Sequence, residues 1–222
     1  MDIPTPVPQV VVRGEATLVV DPEIAELGVT VTGRARDRQS ALERCRSRQD
    51  EVTAVVTAAG DAVESAETTG LSVHREIPDR HGDGDPVATL HTRLTIGRLD
   101  VVGDLVVALG RLDDVSVTGP MWRLRPESPV HEQARLAAVR DAVRRAGQYA
   151  AAFRAQLTHL LEVRDTGLPD RGPFRVAAAV AEMAPFGDGD LHLDVAPARQ
   201  EVRGAVEVRF AMSAPDQEVF RP

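Results

Sequence analysis

The sequence predicts an α+β fold in which largely antiparallel sheets carry helices packed on one face. Several segments alternate apolar and polar residues with a period of two, which is typical of strands with one buried face. These segments occur in pairs, so the predicted order, ββαββαβαββ, lacks the strict alternation of a parallel doubly wound fold. Aromatic residues make up only 3% of the 222 residues, so the core must consist mainly of Val, Leu and Ala.

The first two strands are predicted over residues 10–20 and after the turn signal Asp21-Pro22. Gly14 is a candidate bulge in the first of them. The apolar face of the second strand comprises Ala25, Leu27, Val29 and Val31. We expect these two strands to form an antiparallel hairpin.

The first helix is predicted over residues 38–59, with Asp37 as its N-cap and Gly60 as its stop. Its apolar stripe contains Cys45, the only cysteine of the chain. A reactive thiol needs an exposed and cationic setting, so we interpret Cys45 as a small buried hydrophobe. A lone cysteine also excludes an internal disulfide and a thiolate metal cluster.

The longest helix is predicted over residues 129–157, after the N-cap Ser128 and with Pro129 at its first position. A larger stripe at helical spacing comprises Val139, Val143, Ala146, Ala150, Phe153 and Leu157, and a smaller one comprises Ala134, Ala138 and Ala142. The small stripe permits close approach to a sheet or to another helix. Together the two stripes favour docking on a sheet over a coiled-coil seam.

The other elements complete a single predicted domain over residues 9–212, between a lead-in (1–8) and a tail (213–222). Two related lobes, 9–110 and 111–212, are one arrangement of that domain. Further strands are predicted over 66–76, 87–97, 115–124, 158–164 and from Val202 to Met212, with a short helix over 100–109. The connection 165–200 is long and irregular, and such connections tend to be functional or mobile.

Charge and hydropathy exclude several classes of function. The net charge of −8 argues against general nucleic-acid binding and against adsorption to an anionic membrane. All 26 basic residues are arginine, a pattern typical of high-GC codon usage. No apolar run reaches about 18 residues, so no membrane insertion is predicted. Residues 1–9 lack the apolar core of a secretory signal, so we expect a cytoplasmic protein, with a removed leader as the alternative.

Catalytic motifs are absent from the sequence, which contains no G-x-S-x-G, P-loop or G-x-G-x-x-G. Two acidic loops are the places to consider for a metal. The first supplies His81, Asp83 and Asp85 as weak candidate ligands, and the second, residues 187–194, lacks the order of an EF-hand. Gly-Asp loops are also ordinary connectors, so we predict neither a bound metal nor a cofactor.

Arginines surround the N-terminal half of the first helix, and they are the strongest charge feature. The candidate partner-binding residues are Arg34, Arg36, Arg38, Arg44 and Arg48, and Arg46 lies among them. Such a basic face could dock an acidic protein partner or a phosphate. We favour the alternative, a solvated helix face that Glu43 and Asp50 partly compensate.

Four segments, in their order along the chain, resemble the SIMPL domain family, whose function is unknown. They are the strand with Gly14 followed by residues 20–25 (VDPEIA), the helix end 58–60 (AAG) with Thr68, the Ala-rich segment 134–146, and the last strand, 200–210. The resemblance covers about residues 9–212. It implies an α+β fold, frequent homo-oligomerisation and roles in envelope or stress physiology and signalling, but no catalytic residues. Many members are exported and carry an aromatic residue where Ile77-Pro78-Asp79 stands here.

We therefore expect a non-enzymatic binding or scaffold protein that forms homo-oligomers. Clean amphipathic strands with edges that can pair, and the missing catalytic set, lead to this expectation. The alternative is a small-molecule- or metal-dependent enzyme with its site in loops 78–86 and 165–200.

Overall fold

The computed structural model describes residues 7–75, 84–166 and 193–221. These residues form seven strands and three α-helices, which confirms the α+β class. The elements are β1 (Gln9–Val20), β2 (Ile24–Arg34), α1 (Arg38–Ala58), β3 (Val63–Arg75), β4 (Pro86–Ile96), α2 (Val102–Gly110), β5 (Val115–Arg123), α3 (Pro129–Ala152), β6 (Leu157–Asp165) and β7 (Gln200–Met212). Within this part of the chain, no helix is both long enough and apolar enough to cross a membrane.

The strands form two sheets, and β1 and β2 belong to different ones. One sheet has the order β1-β7-β6 and the other the order β3-β4-β2-β5. The predicted β1–β2 hairpin is therefore wrong. The Glu23 N–H already donates to the Arg123 carbonyl at the end of β5 (2.9 Å), whereas the Pro8 carbonyl before β1 accepts from Met212 of β7 (2.8 Å). Each strand thus pairs with a segment that is distant in sequence.

The chain divides into two compact units. Unit 1 comprises residues 1–20, 126–181 and 201–222, and unit 2 comprises residues 21–125 and 182–200. The β1-β7-β6 sheet and α3 belong to unit 1, and the four-stranded sheet with α1 and α2 belongs to unit 2. The predicted domain 9–212 and its lobes stay predictions.

The core of unit 2 is the helix-covered face of its sheet. The alternation predicted for β2 is confirmed. Leu27 of β2 pairs with Leu94 of β4, and both side chains are fully buried. Asp37 caps α1 as predicted, because its carboxylate accepts from the Ser40 N–H at 2.9 Å. The helix ends at Ala58, and Gly60 follows with a φ of +60°, a conformation that glycine adopts without strain.

In each unit a strand glycine allows a helix to approach the sheet closely. A Cβ on Gly14 of β1 would overlap the Ala138 carbonyl oxygen and lie 2.5 Å from the Ala142 nitrogen of α3. A Cβ on Gly33 of β2 would meet Ala41 and Cys45 of α1 in the same way. Gly14 is thus required for the packing of α3 on β1. The prediction of a bulge at Gly14 did not account for this role.

The helix α3 is shorter than predicted, and its buried stripe combines residues of both predicted stripes. It ends at Ala152 rather than at residue 157, because Arg154 has a left-handed backbone (φ 51°) that turns the chain into β6. Its buried residues are Ala134, Ala138, Ala142, Ala146 and Ala150. Val139 and Val143, which belong to the larger predicted stripe, are 38% and 46% exposed. The small stripe, continued by Ala146 and Ala150, therefore forms the interface with the sheet.

The segment after β7 contacts the end of α3. Residues Gln217–Phe220 form a short 3₁₀ helix, which Asp216 caps. Asp216 also pairs with Arg154 at 2.9 Å. The Phe220 ring stacks on Phe153 with the ring centroids 6.1 Å apart.

The close contact at Gly14 leads to a stability prediction. We expect Gly14→Ala to lower the free energy of unfolding by about 1–3 kcal/mol, because the new methyl group overlaps the α3 backbone. Gly147→Ala in α3 is the control, since a Cβ there meets nothing within 4 Å; it should raise stability by about 0.5–1 kcal/mol. Urea denaturation followed by circular dichroism measures both, and equal midpoints for the two variants would contradict the packing argument.

Candidate functional site

The two acidic loops lie mostly outside the described residues. His81 and Asp83 fall there, and Asp85 is exposed just before β4. Of residues 187–194, only Leu193 and Asp194 are described, and both are exposed. Where side chains are described, no three His, Cys, Asp or Glu residues are arranged to hold a metal ion. Whether loops 78–86 and 165–200 form a site stays a prediction.

The described end of the connection 165–200 lines a cavity of about 380 Å³ in unit 2. Its walls are residues 193–197 and, at the start of α2, Leu99, Asp100 and Gly103. The Arg98 guanidinium lies 3.0 Å from Asp100 and, by its hydrogen bond, holds the pKa of that carboxyl below its usual range. A general base needs a pKa nearer to neutrality. Asp100, the acidic side chain on the α2 side of the cavity, is therefore poorly suited to proton transfer.

Two of the candidate arginines make structural contacts within unit 2. The Arg44 guanidinium donates to the Arg34 carbonyl at 2.9 Å, which connects α1 to the end of β2. Arg48 donates to Glu51 at 2.9 Å and lies 3.7 Å from Asp113 in the turn before β5. These contacts support the structure of unit 2, and partner binding by these arginines stays a prediction.

The arginines of α1 do not share one face of the helix. With 3.6 residues per turn, Arg44 and Arg48 lie on one flank of the buried stripe around Cys45. Arg38 lies on the other flank, and Arg36 precedes the helix; both are exposed. A flat partner surface could therefore contact only one part of the set.

Cys45 is buried, as predicted from its place on the apolar stripe. It is 4% exposed, and its Sγ lies 3.8 Å from the Val31 carbonyl oxygen. Burial raises the pKa of the thiol. Because the thiolate is the reactive form, both the burial and the raised pKa make Cys45 a structural residue.

A threonine and a histidine form a polar pair that sequence reasoning missed. On the solvated face of the four-stranded sheet, Thr30 Oγ1 lies 3.0 Å from His91 Nδ1. A hydroxyl beside an imidazole is part of a nucleophile–base arrangement, which also needs a third group to orient the ring. Thr30 and His91 are direct cross-strand partners of β2 and β4, and His91 is exposed. Their geometry is that of a pair that stabilises a sheet surface.

The most prominent surface feature is an apolar strip on β6. Leu160, Leu161 and Val163 are 58%, 47% and 54% exposed. In the register with β7, Val163 lies opposite Val208 and Leu160 opposite Phe210. Leu160 and Val163 therefore lie on the same face of the sheet as the core under α3, but the helix does not cover them.

Exposed valines of α3 face the same strip. At the outer edge of β1, the Glu15 N–H donates to the Asp141 carboxylate of α3 at 3.1 Å. Asp141 therefore lies on the flank of α3 towards β1, and β6 is at the opposite edge of the sheet. Val139 and Val143 lie on the other flank of the helix, and hence towards β6. We name the surface formed by Leu160, Val163, Val139 and Val143 the β6 groove. The sequence showed that these residues are apolar but not that they are exposed.

Two antiparallel sheets, with one described α-helix in unit 1 and two in unit 2, define the chain as an α+β protein. A family model, SIMPL, described as a protein of unknown function (DUF541), matches residues 10–210. The chain therefore belongs to the SIMPL family, and the resemblance found in the sequence is confirmed. No curated protein matches the sequence. Because the family description assigns no activity, the function has to be argued from the surfaces of this chain.

The contacts of Arg48 lead to a prediction about its role. We expect Arg48→Gln to lower the urea midpoint of unfolding slightly, because Glu51 and Asp113 lose their cationic partner. The difference should shrink in high salt, which screens exposed ion pairs. Arg38→Gln is the matched control on the other flank of α1 and should leave the midpoint unchanged. An unchanged midpoint for Arg48→Gln would show that its contacts do not stabilise the fold.

The burial of Cys45 predicts slow chemistry at its thiol. We expect the folded protein to react with an aromatic disulfide reagent much more slowly than an unhindered thiol at pH 8, since the thiol is both shielded and protonated. In guanidinium chloride, the single thiol of the chain should react fully and at once. Absorbance of the released thiolate measures both rates, and a fast reaction in the folded state would contradict the structural role.

Proposed function

We propose that the protein is a non-enzymatic scaffold that assembles into homo-oligomers through unit 1. An imbalance between helices and strands carries this proposal. A helix is about 10 Å wide and strands lie about 4.8 Å apart, so one helix covers about two strands. Unit 2 has two helices for four strands, whereas unit 1 has one α-helix, α3, for three strands among the residues described. Among the described elements, one strand of unit 1 is thus left without a covering helix.

The exposed apolar side chains support this proposal. Most of the large exposed hydrophobic residues in the described parts of the chain belong to unit 1: Val7, Val11, Val19, Leu136, Val139, Val143, Tyr149, Phe153, Leu160, Leu161, Val163 and Phe220. Removing apolar surface from water is favourable by about 25 cal/mol per Å². Contiguous apolar patches on soluble proteins often mark interaction sites. A second copy of the chain that joins at β6 brings apolar side chains of the two β6 grooves together and gains part of this free energy.

Partner binding is the second part of the proposed scaffold function. Repeated copies present the same docking residues several times, which raises avidity without new contacts. We assign the contact with an acidic protein partner to the exposed Arg36 and Arg38, because Arg44 and Arg48 already support unit 2. A stress or signalling role would be exerted through such a partner.

Light scattering after size exclusion tests the assembly. Between about 1 and 100 µM protein, we expect a mass that rises from that of one 23.9 kDa chain to a fixed multiple of it, as mass action requires. The transition should shift to higher concentration in low concentrations of urea, which weakens apolar association. A single monomer peak over the whole concentration range would exclude the proposed assembly.

A further inference from the structure

We propose that two copies of the protein join edge to edge along β6, antiparallel and in a register centred on Val163. This inference rests on the proposed homo-oligomerisation and identifies its contact surface. β6 is an edge strand of the β1-β7-β6 sheet. One row of its backbone N–H and C=O groups therefore faces away from β7, and no other described strand pairs with that side of β6.

The other edges in the described part of the chain carry obstacles to such pairing. On β1, the Glu15 N–H is already bonded to Asp141, and this bond helps to hold the pKa of that carboxyl below its usual range. On β5, Pro120 lacks an N–H. The strand β3 is regular over residues 70–75, but this stretch contains no acidic residue that could face Arg75 of a second copy. On β6 the register shifts end at Glu162, so residues 162–164 form a regular edge.

Charges on β6 select the register. Glu162 and Arg164 flank Val163 and lie opposite Arg209 and Glu207 of β7, at 3.6 Å and 3.3 Å. If Val163 lies opposite its counterpart, Glu162 of each copy faces Arg164 of the other. Each row across the four strands then reads Glu207, Arg164, Glu162, Arg209, with alternating signs. Opposite charges in directly facing pairs stabilise a sheet.

Neighbouring registers of the same two strands are less favourable. A pairing centred on Glu162 places two carboxylates directly opposite each other. A pairing centred on Arg164 places two guanidinium groups opposite each other. Like charges in facing positions destabilise a sheet. The sequence Glu-Val-Arg is thus self-complementary only about its central valine.

The apolar face agrees with the same register. Val163 lies on the face that carries the β6 groove, so the two Val163 side chains pack against each other across the dimer axis. In this arrangement the three-stranded sheets of two copies become one six-stranded sheet. The exposed edges that remain are those of β1, where Asp141 occupies a backbone donor. The pairing therefore closes at two copies along this direction.

The first test places a charge at the proposed axis. Val163→Arg should raise the dimer dissociation constant at least about tenfold, because two like charges then face each other. Val11→Arg is the matched control: it also changes a half-exposed strand valine of unit 1, 51% against 54% exposed, but on the obstructed strand β1. Light scattering gives the constants, and circular dichroism shows that both variants keep their fold.

The second test mixes two charge reversals. Glu162→Arg and Arg164→Glu should each weaken self-association, since each places like charges opposite each other in the homodimer. An equimolar mixture should associate more tightly than either variant alone, because both facing pairs are then opposite in sign. Loss of a contact within one chain cannot produce this recovery, so the mixture isolates the pairing between copies.

The outcomes separate this inference from the proposed function. If the unsubstituted protein stays monomeric at every concentration, both the assembly and the β6 interface are excluded. If it assembles but Val163→Arg and Val11→Arg behave alike, the assembly stands and the β6 interface is excluded. If Val163→Arg dissociates but the two charge reversals do not recover on mixing, the register centred on Val163 is overturned.

Discussion

In both units a helix lies so close to a strand that no side chain fits between the two backbones. Gly14 meets Ala138 and Ala142 of α3, and Gly33 meets Ala41 and Cys45 of α1, with the glycine facing positions i and i+4 of the helix. This approach demands small residues on both elements. It explains the alanine stripe, and it explains why Cys45, whose side chain is small, occupies a position equivalent to that of Ala142. The lone cysteine of the chain is thus a packing residue.

The close approach also determines what the helices leave uncovered. A helix seated on a glycine and an alanine stripe cannot shift sideways without meeting larger side chains. In unit 1, α3 is held over Gly14 of β1 and Gly204 of β7, where a Cβ on Gly204 would overlap the Ala134 backbone. On the remaining strand, β6, the side chains of Leu160, Leu161 and Val163 stay exposed to water. The surface proposed for assembly is therefore a consequence of how tightly the rest of the unit is packed.

Features that depend on neighbours in the chain were predictable from the sequence, and those that depend on distant partners were not. The alternation of β2, the Asp37 cap and the buried Cys45 follow from local periodicity and capping chemistry. The partner of β1 does not, because β7 lies about 190 residues further along the chain. The stripes of α3 showed two candidate packing faces, but only the contact with Gly14 decides between them. Likewise, the exposure of β6 depends on the position of α3. The acidic loops were considered as metal sites only because of their composition.

The order of the strands has a consequence for synthesis on the ribosome. Every described strand and α-helix of unit 2 lies within residues 21–125, so the sheet and helices of this unit can form before residues 182–200 and the last strand of unit 1 are translated. Unit 1 cannot, because β7 lies between β1 and β6 and is the last strand to emerge. Until then, the nascent chain carries an unpaired β1 and an alanine-rich helix without its sheet. A premature stop before β7 would leave unit 2 intact beside two orphaned strands, a natural substrate for chaperones and proteases.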